Sequence, residues 1–97
     1  MQVSVGGQGK PNATRGIEEI LRLYEEEGLI YPKIELLEQG AYAYGQIGKE
    51  EEAMAFAKKA RQWWSWAVGK DGVETRRIEE FLKEPEKHPR WRLDVQK

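Results

Sequence analysis

Apolar residues recur along this chain at the spacing of an α-helix, and glycine or proline interrupts the pattern at intervals. The first helix is predicted from about Arg15 to Glu27. Its inward face is a set of residues at i, i+3, i+4 and i+7: Ile17, Ile20, Leu21 and Tyr24. Thr14 is the predicted N-cap, and Gly28 is placed to end the helix in the left-handed conformation.

The second helix is predicted to begin near Pro32, since proline is tolerated in the first turn, and to stop at Gly48. Four residues form its inward stripe: Ile34, Leu37, Ala41 and Tyr44. Gly40 and Gly45 each weaken a helix by up to about 1 kcal/mol relative to alanine. Their presence indicates that another element approaches closely.

The third helix is predicted from about Glu50 to Val68, and Gly69 ends it. One continuous apolar stripe runs along it: Ala53, Phe56, Ala57, Ala60, Trp64 and Ala67. Acidic residues lie at its start and basic ones further along, as the helix dipole favours.

The fourth helix is predicted from about Val73 to Lys83, because Pro85 forbids continuation. Its inward residues are Ile78, Phe81 and Leu82. Asp71 and Glu74, three residues apart, resemble a capping box.

Residues 1–16 hold four glycines and one proline and are expected to form a flexible arm. Residues 17–83 form the predicted helical domain, and residues 84–97 a proline-broken, charged tail from which Trp91 or Leu93 can pack back. No useful length of the chain alternates at period two. Short glycine-bearing turns between four helices predict an all-α fold of antiparallel helical hairpins.

The central hairpin resembles a tetratricopeptide repeat (TPR), a helix-turn-helix unit with small and bulky residues at fixed positions. The matching positions are Leu37, Ala41, Tyr44, Gly48, Ala53 and Ala60. Gly40 and Ala57 stand where the repeat usually has larger residues, and Phe56 and Trp64 can supply that volume. The first helix resembles the second helix of a preceding repeat.

Four segments in order resemble the C-terminal helical region that follows the catalytic core of fungal SMYD-like SET-domain proteins: residues 23–32, 41–44, 53–60 and 84–91. The resemblance covers about residues 17–91. It implies no chemistry, because a SET methyltransferase needs an Asn-His pair and a tyrosine in a knotted β core. The single asparagine, Asn12, and the single histidine, His88, lie far apart in the sequence.

A net charge of −1 gives no field to attract nucleic acid or an anionic membrane. No apolar run approaches the length of a membrane span. The chain has no cysteine, which excludes disulfides, thiolate catalysis and cysteine-bound zinc. We expect a soluble, intracellular protein, cytoplasmic or nuclear.

No set of residues predicts catalysis or a cofactor. A serine hydrolase would have to bring Ser4 or Ser65 to His88, and no nucleophile elbow accompanies either serine. Consecutive carboxylates at residues 25–27 and 50–52 point in different directions on a helix, so they do not converge on a metal ion. We therefore expect no metal, no cofactor and no small-molecule substrate.

The third helix holds three tryptophans. At 100° per residue Trp64 lies in the inward stripe, Trp63 at its edge and Trp66 outside it. Exposed tryptophan is enriched at interfaces, so Trp63, Trp66 and Trp91 are candidate partner contacts. Packing of the fourth helix or the tail over Trp66 is the alternative.

The sequence thus favours a non-catalytic interaction or scaffold module that binds another protein or a second copy of itself. The alternative is a fragment, or vestigial C-terminal region, of a SET-domain lysine methyltransferase.

Overall fold

Four helices follow one another along the chain, and the structure, a computed structural model, describes residues 13–95, with side chains from residue 16 onwards. The helices are α1 (Ala13–Glu27), α2 (Ile30–Gln46), α3 (Glu50–Val68) and α4 (Val73–Lys83), with a short 3₁₀ turn at Pro85–Lys87. No strand occurs between residues 13 and 95. The all-α prediction is confirmed.

Glycine ends the first two helices in the same way. After α1, Leu29 N–H donates to Tyr24 O at 2.9 Å and Gly28 N–H to Glu25 O at 3.2 Å. After α2, the corresponding bonds run from Lys49 and Gly48 to Tyr44 and Gly45. Gly28 and Gly48 have φ of 72° and 83°, a conformation that glycine adopts without a Cβ penalty. The two predicted stops are confirmed.

The predicted starts of α1 and α2 are wrong by two residues each. α1 begins at Ala13, so Thr14 lies inside the helix rather than at its N-cap, and residues 13–16 are helical rather than part of an arm. Residues 1–12 of the expected arm lie outside the described part of the chain. α2 begins at Ile30, with Pro32 as its third residue. Pro32 still fits, because the first-turn N–H groups have no partner inside a helix.

The predicted capping box of α4 is also wrong. Gly72 is the N-cap, with φ −64° and ψ 152°, and no side chain caps the helix. A Cβ at Gly72 would lie 2.4 Å from Cγ2 of Val68, so the chain passes too close to α3 for a larger residue there. Asp71 precedes the cap and lies 4.0 Å from Arg76 in an exposed ion pair.

The helices form TPR-like antiparallel hairpins, each packed on its neighbours in sequence. The buried apolar core consists of Ile34, Leu37, Ala41, Tyr42, Tyr44, Ala53, Ala57, Ala60, Trp64, Ile78 and Phe81. Ile20, expected inward, is 40% exposed instead. Leu21, next to it, packs on the core instead.

Close approach of three helices occurs at Gly40. A Cβ there would lie 2.6 Å from Cδ2 of Phe56 on α3 and 3.3 Å from Cγ2 of Ile17 on α1. Gly40 therefore leaves room on α2 for the side chains of Phe56 and Ile17. None of the helices in the described part of the chain has the length and apolar character to cross a membrane.

Candidate interaction surface and buried polar cluster

The three tryptophans of α3 occupy the positions that helical spacing predicts. Trp64 is 3% exposed and belongs to the core. Trp63 is half-buried at the edge of the core. Trp66 is 66% exposed, so neither α4 nor the tail covers it.

Trp63 and Trp66 form a tryptophan patch near the C-terminal end of α3. Their rings pack edge to face, with centroids 5.7 Å apart. Nζ of Lys33 on α2 lies 4.2 Å from the Trp63 ring centroid and 3.4 Å from Oε2 of Glu25 on α1. A cation–π contact and an ion pair therefore connect Trp63 on α3 to α2 and α1.

A buried polar cluster lies between α2, α3 and α4, centred on Glu38, which is 2% exposed. Its carboxylate accepts two hydrogen bonds from Arg77, at 2.6 Å from Nε and 2.8 Å from Nη2. Trp64 Nε1 donates to it at 3.0 Å, and the Tyr42 hydroxyl donates a further bond. A buried carboxylate needs such partners, since removing an unpaired charge from water costs several kcal/mol.

The ionisation of this cluster follows from its contacts. Burial alone would raise the pKa of Glu38, but the hydrogen bonds from Arg77, Tyr42 and Trp64 outweigh it and lower the pKa. Burial and the neighbouring Glu38 carboxylate raise the pKa of Tyr42, so its hydroxyl stays protonated and donates. The hydrogen bond to Glu38 raises the pKa of Arg77 as well. At neutral pH Glu38 is therefore ionised and pairs with the positively charged Arg77.

Glu38 was missed by the sequence reasoning, although a signal was present. Ile34, Glu38 and Ala41 follow one another at i, i+4 and i+7, so Glu38 lies within the inward stripe of α2. A carboxylate at such a position needs a cation and donors from neighbouring helices. Which residues supply them depends on the packing of α3 and α4, which the spacing does not give.

The closing segment, residues 88–95, folds back over the end of α2. Trp91 is half-buried, and its ring lies 5.7 Å from that of Phe81. A Cβ at Gly45 would lie 2.7 Å from Cε3 of Trp91, so the glycine makes room for the indole. Of the two tail residues considered, Trp91 packs inward while Leu93 is exposed.

Backbone hydrogen bonds also hold the closing segment. Arg92 N–H donates to Gly45 O at 2.7 Å, and Asp94 N–H donates to Gln46 O at 2.9 Å. The last carbonyls of a helix have no partner inside it. The closing segment thus caps α2. The Arg90 guanidinium adds two bonds to Oε1 of Gln46, at 2.7 and 3.1 Å.

His88 is part of this packing. Its ring stacks on Tyr42 with centroids 4.3 Å apart, and Nδ1 accepts a hydrogen bond from Arg90 N–H at 3.2 Å. Burial, together with the positive charge of Arg90, lowers the pKa of His88. His88 lines a groove beside Tyr42, whereas Ser65 lines a different groove between α3 and α4. Ser4 lies outside the described residues.

Acidic and histidine side chains do not gather into a metal site anywhere between residues 16 and 95. No protein-family model matches this chain, and searches among curated proteins and solved structures find no match either. The fold defines the class of the protein, an all-α domain of TPR-like hairpins.

Proposed function

We propose that this chain is a non-catalytic protein-interaction module whose contact residue is Trp66. The observation that carries the proposal is the 66% exposure of Trp66 on a helix whose inward stripe, including Ala60 and Trp64, is buried. Tryptophan is enriched among the residues that dominate binding energy at protein interfaces. Support also comes from the edge-to-face contact of the indole with Trp63, which makes the two rings one patch.

A partner that covers this indole gains a large contribution from one side chain. A tryptophan side chain presents about 150–250 Å², of which Trp66 still exposes 66%. Covering that remainder, roughly 100–165 Å², corresponds to roughly 2.5–4 kcal/mol at about 25 cal/mol per Å². Such a side chain fits the pattern of binding hot spots, in which a few aromatic anchors carry most of the affinity. The complementary feature on the partner is an apolar cleft that accepts an indole.

The partner is another protein or a second copy of this chain, met inside the cell in the cytoplasm or the nucleus. The non-catalytic part of the proposal rests on the sequence, which has no cysteine and a single histidine, His88. His88 packs on Tyr42 within the closing segment, a structural role that accounts for its presence.

A comparison of two apolar truncations tests this proposal. Trp66→Ala should abolish capture of the partner from native lysate and leave the free energy of unfolding within about 0.5 kcal/mol of wild type, as for exposed sites. Val73→Ala is the matched control, because Val73 is 74% exposed on α4 and makes no part of the patch. Equal capture by wild type and both variants would show that Trp66 is not the contact.

A second candidate is that this chain is the C-terminal region of a SET-domain lysine methyltransferase, and one observation favours it. Two residues that carry the resemblance in the tail, His88 and Trp91, pack on the helical domain rather than projecting from it. Packing of the tail on the helices fits a resemblance that extends through the tail to about residue 91. A SET core encoded upstream in the same reading frame would support this candidate, and its absence there would favour the independent module.

A further inference from the structure

A groove of about 690 Å³ lies between α3 and α4. Four cations lie along it: Lys58, Lys59, Arg61 and Lys70. Glu79 is the single carboxylate on its walls, and Met54 and Leu82 supply apolar surface. The groove is therefore basic, with an apolar strip.

Within the described part of the chain none of these four cations takes part in an ion pair, whereas Lys33, Arg77 and Arg92 do. Lys58 and Arg61 lie one turn apart on the same helix, where like charges repel. An acidic surface laid in the groove would relieve this repulsion.

The opposite edge of the molecule carries the complementary pattern. One face of α1 contains residues at i, i+1, i+4, i+7 and i+8: Glu19, Ile20, Leu23, Glu26 and Glu27. All five are exposed, with Ile20 at 40% and Leu23 at 51%. None of the three glutamates forms an ion pair with another described residue. This acidic face of α1 offers carboxylates and apolar groups on one side of a helix.

The order of packing shows where a following helix would lie. Gly40 on α2 lies beside both Phe56 of α3 and Ile17 of α1, so the side chain of Phe56 reaches towards both preceding helices. α4 likewise contacts α2 through the pair of Arg77 and Glu38, and packs on α3. In a helical solenoid each unit buries its face against the next. The next helix in the series would lie against α3 and α4, which is the position of the basic groove.

We propose that the basic groove binds the acidic face of α1 of a second copy of this chain, so that copies stack head to tail. Glu19, Glu26 and Glu27 then face the groove's cations, and Ile20 and Leu23 cover Met54 and Leu82. The surfaces differ on the two copies, so the contact is heterologous and can extend beyond two molecules. The tryptophan patch is a separate surface and takes no part in it.

Charge-reversal variants test the stacking. One carries Lys58→Glu, Lys59→Glu and Arg61→Glu, and the other carries Glu19→Lys, Glu26→Lys and Glu27→Lys. Circular dichroism checks that both fold, and sedimentation velocity gives their size over a range of concentrations. Wild type should associate with rising concentration, about tenfold or more weakly at about 500 mM than at about 50 mM salt, since salt screens exposed charges.

Each variant alone should stay monomeric, because one face of every contact is reversed. Their equimolar mixture should associate again, since the acidic α1 of the first variant meets the intact groove of the second and the two reversed faces are complementary in the same way. Trp66→Ala should associate as wild type does, which separates this contact from the tryptophan patch. A monomeric wild type at low salt, a monomeric mixture, or association lost in Trp66→Ala would each overturn the proposal.

Discussion

The carboxylate of Glu38 on α2 and the guanidinium of Arg77 on α4 meet in a two-bond pair, with Nε 2.6 Å from Oε2 and Nη2 2.8 Å from Oε1. The whole of α3 separates these helices in the sequence. Glu38 is buried, whereas the Arg77 side chain is 51% exposed. The pair thus lies at the edge of the core and joins α4 directly to α2.

Loss of this carboxylate should destabilise the fold. Glu38→Ala leaves Tyr42 and Trp64 with buried donors that lack a partner, and we expect the free energy of unfolding to fall by about 2–4 kcal/mol. Urea denaturation followed by circular dichroism measures it. Glu35→Ala, at an exposed site on the same helix, is the control and should change stability by less than about 0.5 kcal/mol. Similar losses in both variants would contradict a special role for the cluster.

Acidic pH should lower the free energy of unfolding because of His88. Its pKa is lowered in the fold, so below about pH 6.5 the unfolded chain takes up the proton more readily than the folded one. Stability should therefore be full above that pH and decrease as the pH falls towards 5. His88→Phe, which keeps a ring against Tyr42, should flatten the profile. The lowered pKa of Glu38 acts only at more acidic pH. An unchanged profile in His88→Phe would exclude this origin.

The contact between Gly45 and Trp91 can be isolated by a double-mutant cycle. Gly45→Ala places a Cβ within 2.7 Å of the indole and should destabilise by about 1–3 kcal/mol through overpacking. In a Trp91→Ala background the clash disappears, and the same substitution should stabilise α2 by up to about 1 kcal/mol. Urea unfolding of the four proteins gives the coupling. A Gly45→Ala effect of the same sign in both backgrounds would mean that Trp91 does not lie there.

Larger side chains at the buried alanines of α3 should lower the free energy of unfolding. Ala53 and Ala60 are fully buried where α3 meets its neighbours, so Ala53→Leu and Ala60→Leu should each cost about 1–3 kcal/mol. Ala55→Leu, on the exposed side of the same helix, should be near neutral. Unfolding midpoints in urea compare the three. Neutral results at Ala53 and Ala60 would mean that these faces are not in close contact.

The sequence predicted α3 and α4 to the residue, and the reason is local. The long apolar stripe of α3 stops just before Gly69, and Pro85 follows α4 closely. Local residues therefore mark where each of these helices ends. The starts of α1 and α2 were misplaced because Thr14 and Pro32 are also acceptable inside a first turn. Start signals of this kind do not fix one residue.

The candidate site could be predicted only in part. Helical angles separate Trp64 from Trp66, because burial on a helix follows its period. The partners of Glu38 could not be predicted, since Arg77 is 39 residues away and reaches it only through the packing of three helices. The inward position of Trp91 depends on the space left by Gly45 and on hydrogen bonds to the end of α2, which are tertiary features.

Photo-crosslinking at position 66 tests the central claim most directly, because it reports contact rather than loss of binding. A photoreactive phenylalanine derivative replaces Trp66 in one protein and Val73 in a control, both sites being exposed. After irradiation in native lysate, we expect one defined adduct, with another protein or a second copy, from position 66 and none from position 73. Two folded proteins that give no adduct, or the same adducts from both positions, would contradict a contact surface at Trp66.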